Sequence, residues 1–483
     1  MTPDTPAAAA RPHYNITFIV LAVAATAYVL LQSLVLPALP DFQRDLGASE
    51  TSVSWILTAY LLSASIATPI IGRLGDMYGK ERLLLIVLII LGVGTFMSAI
   101  ASSINLLIAG RVVQGIAGGI FPLAFGIIRD EFPRDRVAGG IGLMSSLIGI
   151  GGGAGVVLAG PIVQNMSYHW LFWFPLIAII ISAIATHFYV PESPIKTPGS
   201  INWLASFLMS IGLVLVLVAV SETTVWGWGS PKTIGLIVLG LIVLAGWVRT
   251  EMHSAEPLVD MRMMRIKGVW TTNTVAFLFG VGMYSAFIII PQYVQEPTST
   301  GYGFGSSVVQ SGLFLLPTTV AMFIIGQFAG TIDKRVGSRP ALIGGAAFTV
   351  FSFLMLTFAR SEQWEIYVAA ALLGVGVGLA FAAMSNLIVQ NVPQEQTGVA
   401  TGMNTVMRSL GGALGGQIAA TFIADDLVHD LPTNHGFGLA FGFCLAGVIA
   451  SLAVAFLVPR RPAVGEVDPH RPPVPGDLVA QEA

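Results

Sequence analysis

The chain has 483 residues, of which 54% are apolar and only 10% charged, with a formal net charge of −3. Soluble domains carry roughly 25% charged residues, so this composition excludes an ordinary soluble enzyme and offers no basic surface for a nucleic acid. The single cysteine, Cys444, excludes an intramolecular disulfide and a cysteine-cluster metal site, and nothing in the chain calls for a cofactor.

Fourteen apolar blocks follow one another, near 15–38, 53–72, 82–102, 104–128, 138–160, 170–190, 201–220, 232–250, 269–291, 308–330, 340–359, 364–390, 398–424 and 436–458. A bilayer core about 30 Å thick takes a helix of about 20 residues, because a helix rises ~1.5 Å per residue. Each block is therefore expected to cross once, giving an all-α membrane protein. The expected organisation is a cytoplasmic segment 1–14, a six-helix bundle 15–190, an inserted helix pair with its loops 191–268, a second six-helix bundle 269–458 and a disordered tail 459–483. No basic n-region or small-residue cleavage site precedes the first block, so that block is expected to stay in the mature protein.

Orientation follows from the loops. With a cytoplasmic N-terminus, 18 Lys and Arg residues fall on the cytoplasmic side and three (Arg44, Lys232, Arg360) on the outer side. Arg111 and Arg408 lie inside blocks. The positive-inside rule then puts both termini in the cytoplasm and predicts a multi-pass protein of the plasma (inner) membrane. The Trp-bearing outer segment 221–231 is expected to anchor at the interface, and the inner loop 250–268 to lie along the membrane surface.

Block two is followed by Gly72-Arg73-Leu74-Gly75-Asp76-Met77-Tyr78-Gly79-Lys80-Glu81-Arg82, and block ten by Gly330-Thr331-Ile332-Asp333-Lys334-Arg335-Val336-Gly337-Ser338-Arg339. Each runs Gly, Asp, Gly, base, as expected of two repeated halves around a central path. Gly72 and Gly79 permit tight turns, while Asp76 can face a helix N-terminus or a base across the halves. In block five, the run from Gly149 to Pro161 lacks G-K-[ST] and follows no strand, so it is not a phosphate-binding loop. So much glycine in a span predicts close packing. Arg111 and Arg408 are costly in a bilayer, roughly 2.5–3.5 kcal/mol each on insertion scales, and should face the protein interior or water. At helical spacing Arg111 shares a face with Gly115, Gly118 and Pro122, and Arg408 with Asn404, Gly411 and Gly415. These faces are expected to line the path, the alternative being an arginine bonded to backbone carbonyls at a helix break.

These motifs resemble the major facilitator superfamily. The segment Gly72–Arg82 is similar to its loop pattern G-x-L-(small)-D-x-x-G-(basic)-x-(basic), with Met77 where an Arg is usual, and Arg111-Val112-Val113-Gln114-Gly115 is similar to its R-x-x-Q-G pattern. Trp55–Leu62, Val190-Pro191-Glu192-Ser193, Asn202-Trp203 and fourteen spans resemble the QacA/EmrB subfamily of drug:proton antiporters. The resemblance implies a cytoplasmic gate of Gly72, Asp76, Gly79, Lys80, Arg82 and Asp130 or Glu131. The expected substrate and proton pathway comprises Gln32, Tyr60, Arg111, Gln114, Asn404 and Arg408, Arg111 being favoured by the R-x-x-Q-G resemblance. The resemblance also implies an antiporter-type helix with Gly151, Gly155, Gly160 and Pro161, although Val156 and Ala159 replace the usual Pro and one Gly. The usual first-helix Asp is Leu31 here, and no acid lies deep in any block. A cationic drug would have only aromatic faces such as Tyr28, Tyr60 or Trp173, and the buried charge of +2 leans toward neutral or anionic substrates. Asp41, Asp130, Glu131, Asp425 and Asp426 are the candidate proton carriers. The expected activity is proton-driven export of small amphipathic compounds by alternating access, with the bilayer, a small-molecule substrate and protons as partners and no obligatory protein partner. The alternatives are an uncoupled facilitator or importer and, more distantly, a membrane-embedded protein that transports nothing.

Overall fold

In a bilayer, backbone polar groups must be satisfied within each segment, and the chain answers with helices throughout. The structure is a computed structural model that describes residues 13–193, 195–196, 199–428 and 431–460; the expectations for segment 1–14 and for the tail 459–483 fall almost wholly outside them. The long helices are α1 (Tyr14–Ser33), α2 (Glu50–Tyr78), α3 (Lys80–Ala99), α4 (Ile104–Glu131), α5 (Arg134–Asn165), α6 (Trp170–Tyr189) and α7 (Trp203–Ser221). They continue with α8 (Pro231–His253), α9 (Lys267–Gln295), α10 (Val308–Val336), α11 (Ser338–Phe358), α12 (Gln363–Asn391), α13 (Thr397–Ala424) and α14 (Asn434–Ala455). A two-stranded ribbon, Leu427–Val428 with Leu431–Pro432, joins α13 to α14.

Local sequence sets the ends. Ser49 caps α2 through the N–H of Ser52, and Ser307 forms a capping box with Gln310 at the start of α10. A single residue separates α2 from α3 and α10 from α11. Both are glycines, Gly79 at φ +116° and Gly337 at φ +86°, a region that disfavours residues with a Cβ.

Among the described residues, 13 helices are long and apolar enough by composition to cross a membrane, one fewer than the fourteen expected. The exception is α13. It spans 28 residues but carries six glycines, Asn404 and Arg408, and hides its polar face against α2, α9 and α14 rather than offering it to lipid.

Two apolar cores form, one from α1–α6 and one chiefly from α9–α12 and α14. A third joins α7 and α8 to α9, α12 and α13. It includes Leu258, Val259 and Met263, all buried, so the middle of the 250–268 loop packs against the protein. Glu251 holds it there, accepting the N–H groups of Leu258 and Val259 and the indole N–H of Trp247. The Trp-bearing segment is also pinned to protein: Trp228 donates its indole N–H to Thr421 of α13 at 2.8 Å.

Candidate functional site

The two segments α1–α6 and α9–α14 meet along two seams. The first runs the length of α5 and α10, where small residues let the backbones approach. A Cβ at Gly330 would stand 2.5 Å from Gly139 Cα, and one at Gly153 or Gly149 would strike Thr319 or Met322. The second joins α2 to α13 at one end only: a Cβ at Gly72 would stand 2.5 Å from the Gly398 carbonyl oxygen.

At that end Asp76, fully buried, reaches across the seam. Its carboxylate accepts the N–H groups of Gly398 at 3.3 Å and Val399 at 3.2 Å. These are orphan donors of the first turn of α13, where the helix dipole also favours an anion. Lys80 lies 3.7 Å from Asp76 and 2.7 Å from Asp130, all three side chains being buried. Asp130 also accepts from Gln394 at 2.9 Å and from the hydroxyl of Ser193. The stem of Lys80 lies on Gly126, where a Cβ would come within 2.6 Å of it, and the Glu192 carboxylate sits against Gly79. Of the expected gate residues, Gly72, Asp76, Gly79, Lys80 and Asp130 thus come together. Arg82 stands exposed outside the cluster, which corrects its expected place in the relay. Asp130, rather than Glu131, meets Lys80. Sequence reasoning missed Arg129, which donates to the Val392 and Pro393 carbonyls and to Thr397, clasping the turn before α13. It also missed Ser193, on the chain leading to α7. Arg129 is marked only by its place beside Asp130, and Ser193 only as the last residue of the V-P-E-S segment.

The Asp of the second copy does not reach across. Asp333 accepts from Ser338 within its own segment, and the crossing contacts nearby are the exposed pair of Lys334 with Asp135 at 3.6 Å and Asn386 to the Ala138 carbonyl at 3.3 Å.

Beyond the sealed end α2 and α13 diverge and a cavity opens in two adjoining chambers. A polar chamber of about 50 Å³ is walled by Tyr28, Gln32, Tyr60, Ser65, Thr405 and Arg408 among others. An apolar chamber of about 200 Å³ shares Gln32 and Tyr60 and is completed by residues such as Leu57, Phe287, Met322 and Phe381. No Asp or Glu lines either chamber.

The two intramembrane arginines have different surroundings. Arg111 is fully buried, donating to the backbone carbonyls of Ile56 and Leu31 at 3.2 Å each and to Gln114 at 2.7 Å. Its guanidinium lies 4.2 Å from the Tyr60 ring centroid, so Tyr60 stands between it and the cavity. Gln114 is turned away too, donating to Ser98. Arg111 and Gln114 therefore do not line the path, and the glycines beside them seat α2: Gly115 meets the Tyr60 carbonyl and Gly118 meets Thr68. Gly411 and Gly415 likewise seat α9, and Asn404 is bonded to Asn273 at 2.9 Å. Arg408 does line the cavity, 4.3 Å over the Phe381 ring.

In α5, Gly151 and Gly155 pack on Val29 and Ser33 of α1, and Gly160 on Val309 of α10. Pro161 is exposed. Trp173 packs edge-on against Phe96, away from the cavity. Of the other acids proposed to carry protons, Asp41 pairs with Arg44 at 2.6 Å, Asp425 is exposed, and Asp426 accepts from Thr433 and lies 2.8 Å from His435. The Thr433 and His435 contacts hold the Asp426 carboxyl below its usual range.

A chain of this build has known relatives. It is 27% identical over 368 residues to the multidrug transporter protein MdtP of Bacillus subtilis, covering 75% of this chain and 67% of that protein. It is 26% identical over 405 residues to the tetracenomycin C resistance and export protein of Streptomyces glaucescens, covering 82% and 73%. The crystal structure of the human organic anion transporter MFSD10 superposes with a TM-score of 0.66 at 16% identity, covering 93% of this chain and all of that one, a likeness of fold alone. With residues 21–416 matching the family model described as the Major Facilitator Superfamily, the chain belongs to that superfamily of membrane transporters, which are not enzymes.

Proposed function

We propose that this transporter exports small amphipathic compounds by alternating access, driven by the proton-motive force, as a drug:proton antiporter of the fourteen-span kind. One observation carries the reading: a cavity with an apolar chamber lies between the two segments, shut at one end by a buried charged latch. The bundles are α1–α6 and α9–α14, with α7 and α8 as the inserted pair and α13 as the fourteenth crossing, shielded from lipid on its polar face. The latched end carries most of the Lys and Arg, which supports a cytoplasmic placement of that end and of both termini in the plasma membrane. The relatives named as a multidrug transporter and an export protein support the direction of transport. Exchange of one proton for one neutral molecule would draw ~2.3 kcal/mol per 100 mV, enough for a gradient of about fiftyfold.

The test is proton flux in everted vesicles with an acid interior, challenged with neutral, anionic and cationic amphiphiles. Compound-triggered loss of acidity, absent from vesicles without the protein, is the expected result. Accumulation of a compound with no change in luminal pH, at zero membrane potential, would favour the uncoupled facilitator. That alternative draws on the cavity walls, which carry no carboxylate to hold a proton.

A further inference from the structure

Arg408 is a buried guanidinium that stacks on the Phe381 ring but, among the described residues, meets no counter-ion. It is 6% exposed, and its Nε has no acceptor. Among the described residues no carboxylate forms an ion pair with it. Arginine carries five N–H donors and cannot shed its proton, and a buried charge is costly unless paired. Arg111 shows the contrast: one of its terminal nitrogens is also unpaired, yet two carbonyls and Gln114 serve it as acceptors. Arg408 instead lines the smaller chamber, whose walls mix hydroxyl and amide side chains such as Tyr28, Gln32 and Thr405 with apolar ones such as Val29, Leu61 and Phe121. Phe381, over which its guanidinium stacks, is also a wall of the apolar chamber. A cation for a head group and an apolar space for a body thus adjoin at one residue pair.

We propose that the transported molecule is an amphipathic acid, its carboxylate or similar anionic head received by Arg408 and its apolar body lodged beside Phe381. This rests on the export reading and names the class of compound exported. It also gives the missing carboxylate a reason. An anion leaving an inside-negative cell carries its own electrical driving force, about fiftyfold in gradient per 100 mV for a monoanion. A cavity acid would repel that anion.

The test uses one hydrocarbon series of six to twelve carbons, offered as carboxylic acid, primary amide and amine, in everted vesicles. The acid should show a KM at least tenfold below that of the amide, and its accumulation should follow an imposed potential at zero pH gradient. Arg408→Gln should raise the acid's KM roughly tenfold to a hundredfold, the worth of a charge-assisted hydrogen bond, and shift the amide's KM far less. Arg408→Lys should restore part of the preference, which a merely structural arginine would not do. The thermal midpoint of Arg408→Gln in detergent, compared with the parent's, separates a binding effect from misfolding. Equal KM values for acid and amide in the parent, preference for the amine, or an acid KM untouched by Arg408→Gln would overturn the proposal while leaving export standing. Transport of none of the series would take the export reading down with it.

Discussion

Replacing Asp76 by Asn tests whether the latch holds the cavity shut. The carboxylate makes two hydrogen bonds to the start of α13, at 3.3 and 3.2 Å. Both are long, so each is set at the low end for a charged acceptor, about 1.5 kcal/mol. The charge at a helix N-terminus adds about 1 kcal/mol. Asparagine keeps one neutral acceptor and presents an NH₂ to the other N–H, so roughly 1–2 kcal/mol survives. The net loss is about 2 kcal/mol, which shifts the closed–open equilibrium about thirtyfold toward opening. Lys80 keeps Asp130 at 2.7 Å, so the substitution leaves no lysine unpaired. The assay places a cysteine at Thr405, on the cavity wall, over a background in which Cys444 is buried. Labelling by a membrane-impermeant maleimide from the latched face should quicken by about thirtyfold in Asp76→Asn. A change below threefold in folded protein would refute the reasoning.

Gly72→Ala places a methyl 2.5 Å from a backbone oxygen, so it should raise the same labelling rate. Gly344→Ala, where a Cβ meets nothing within 4 Å, should leave it unchanged. Lys80→Met leaves Asp76 and Asp130 buried without their cation, a loss of about 3–5 kcal/mol. It should lower the thermal midpoint of detergent-solubilised protein, and adding Asp130→Asn should recover part of that loss. Arg111→Gln removes two inter-helix bonds to carbonyls and the stack on Tyr60, which should destabilise the protein by about 2–4 kcal/mol. Because Arg111 does not touch the cavity, a large rise in KM with an unchanged melting curve would contradict the placement.

The helix blocks and the loop after α2 were legible because hydropathy and glycine spacing are local properties of the chain. Asp76 was legible for the same reason, and its partner was not: the N–H groups of Gly398 and Val399 lie more than 300 residues away. The different fates of the two arginines escaped the sequence because each sits on a helix with a glycine face, so both were expected on the path and only Arg408 lines it. Spacing reveals the face but not whether it meets a cavity or a neighbouring backbone. For Gly115 and Gly411 it meets backbone. The repeated loop marks two halves but does not show which copy crosses between them. Ser338, following Gly337, draws Asp333 into its own segment, where Lys80, following Gly79, leaves Asp76 free to cross.

That inequality bears on how the molecule moves. A door bolted along one edge swings about the other, and here the bolt joins α2 to α13 while the glycine seam of α5 and α10 runs unbroken on the far side. The seam has the attributes of a hinge pin: it is continuous and closely packed through glycines, and its ion pair, Lys334 to Asp135 at 3.6 Å, lies exposed at one end. Opening then becomes a rotation about α5 and α10, and the distance between Gly72 and Gly398 should grow far more than that between Gly153 and Thr319. Spin labels on helix neighbours of each pair would measure the two displacements, and equal separation at both seams would rule the rotation out.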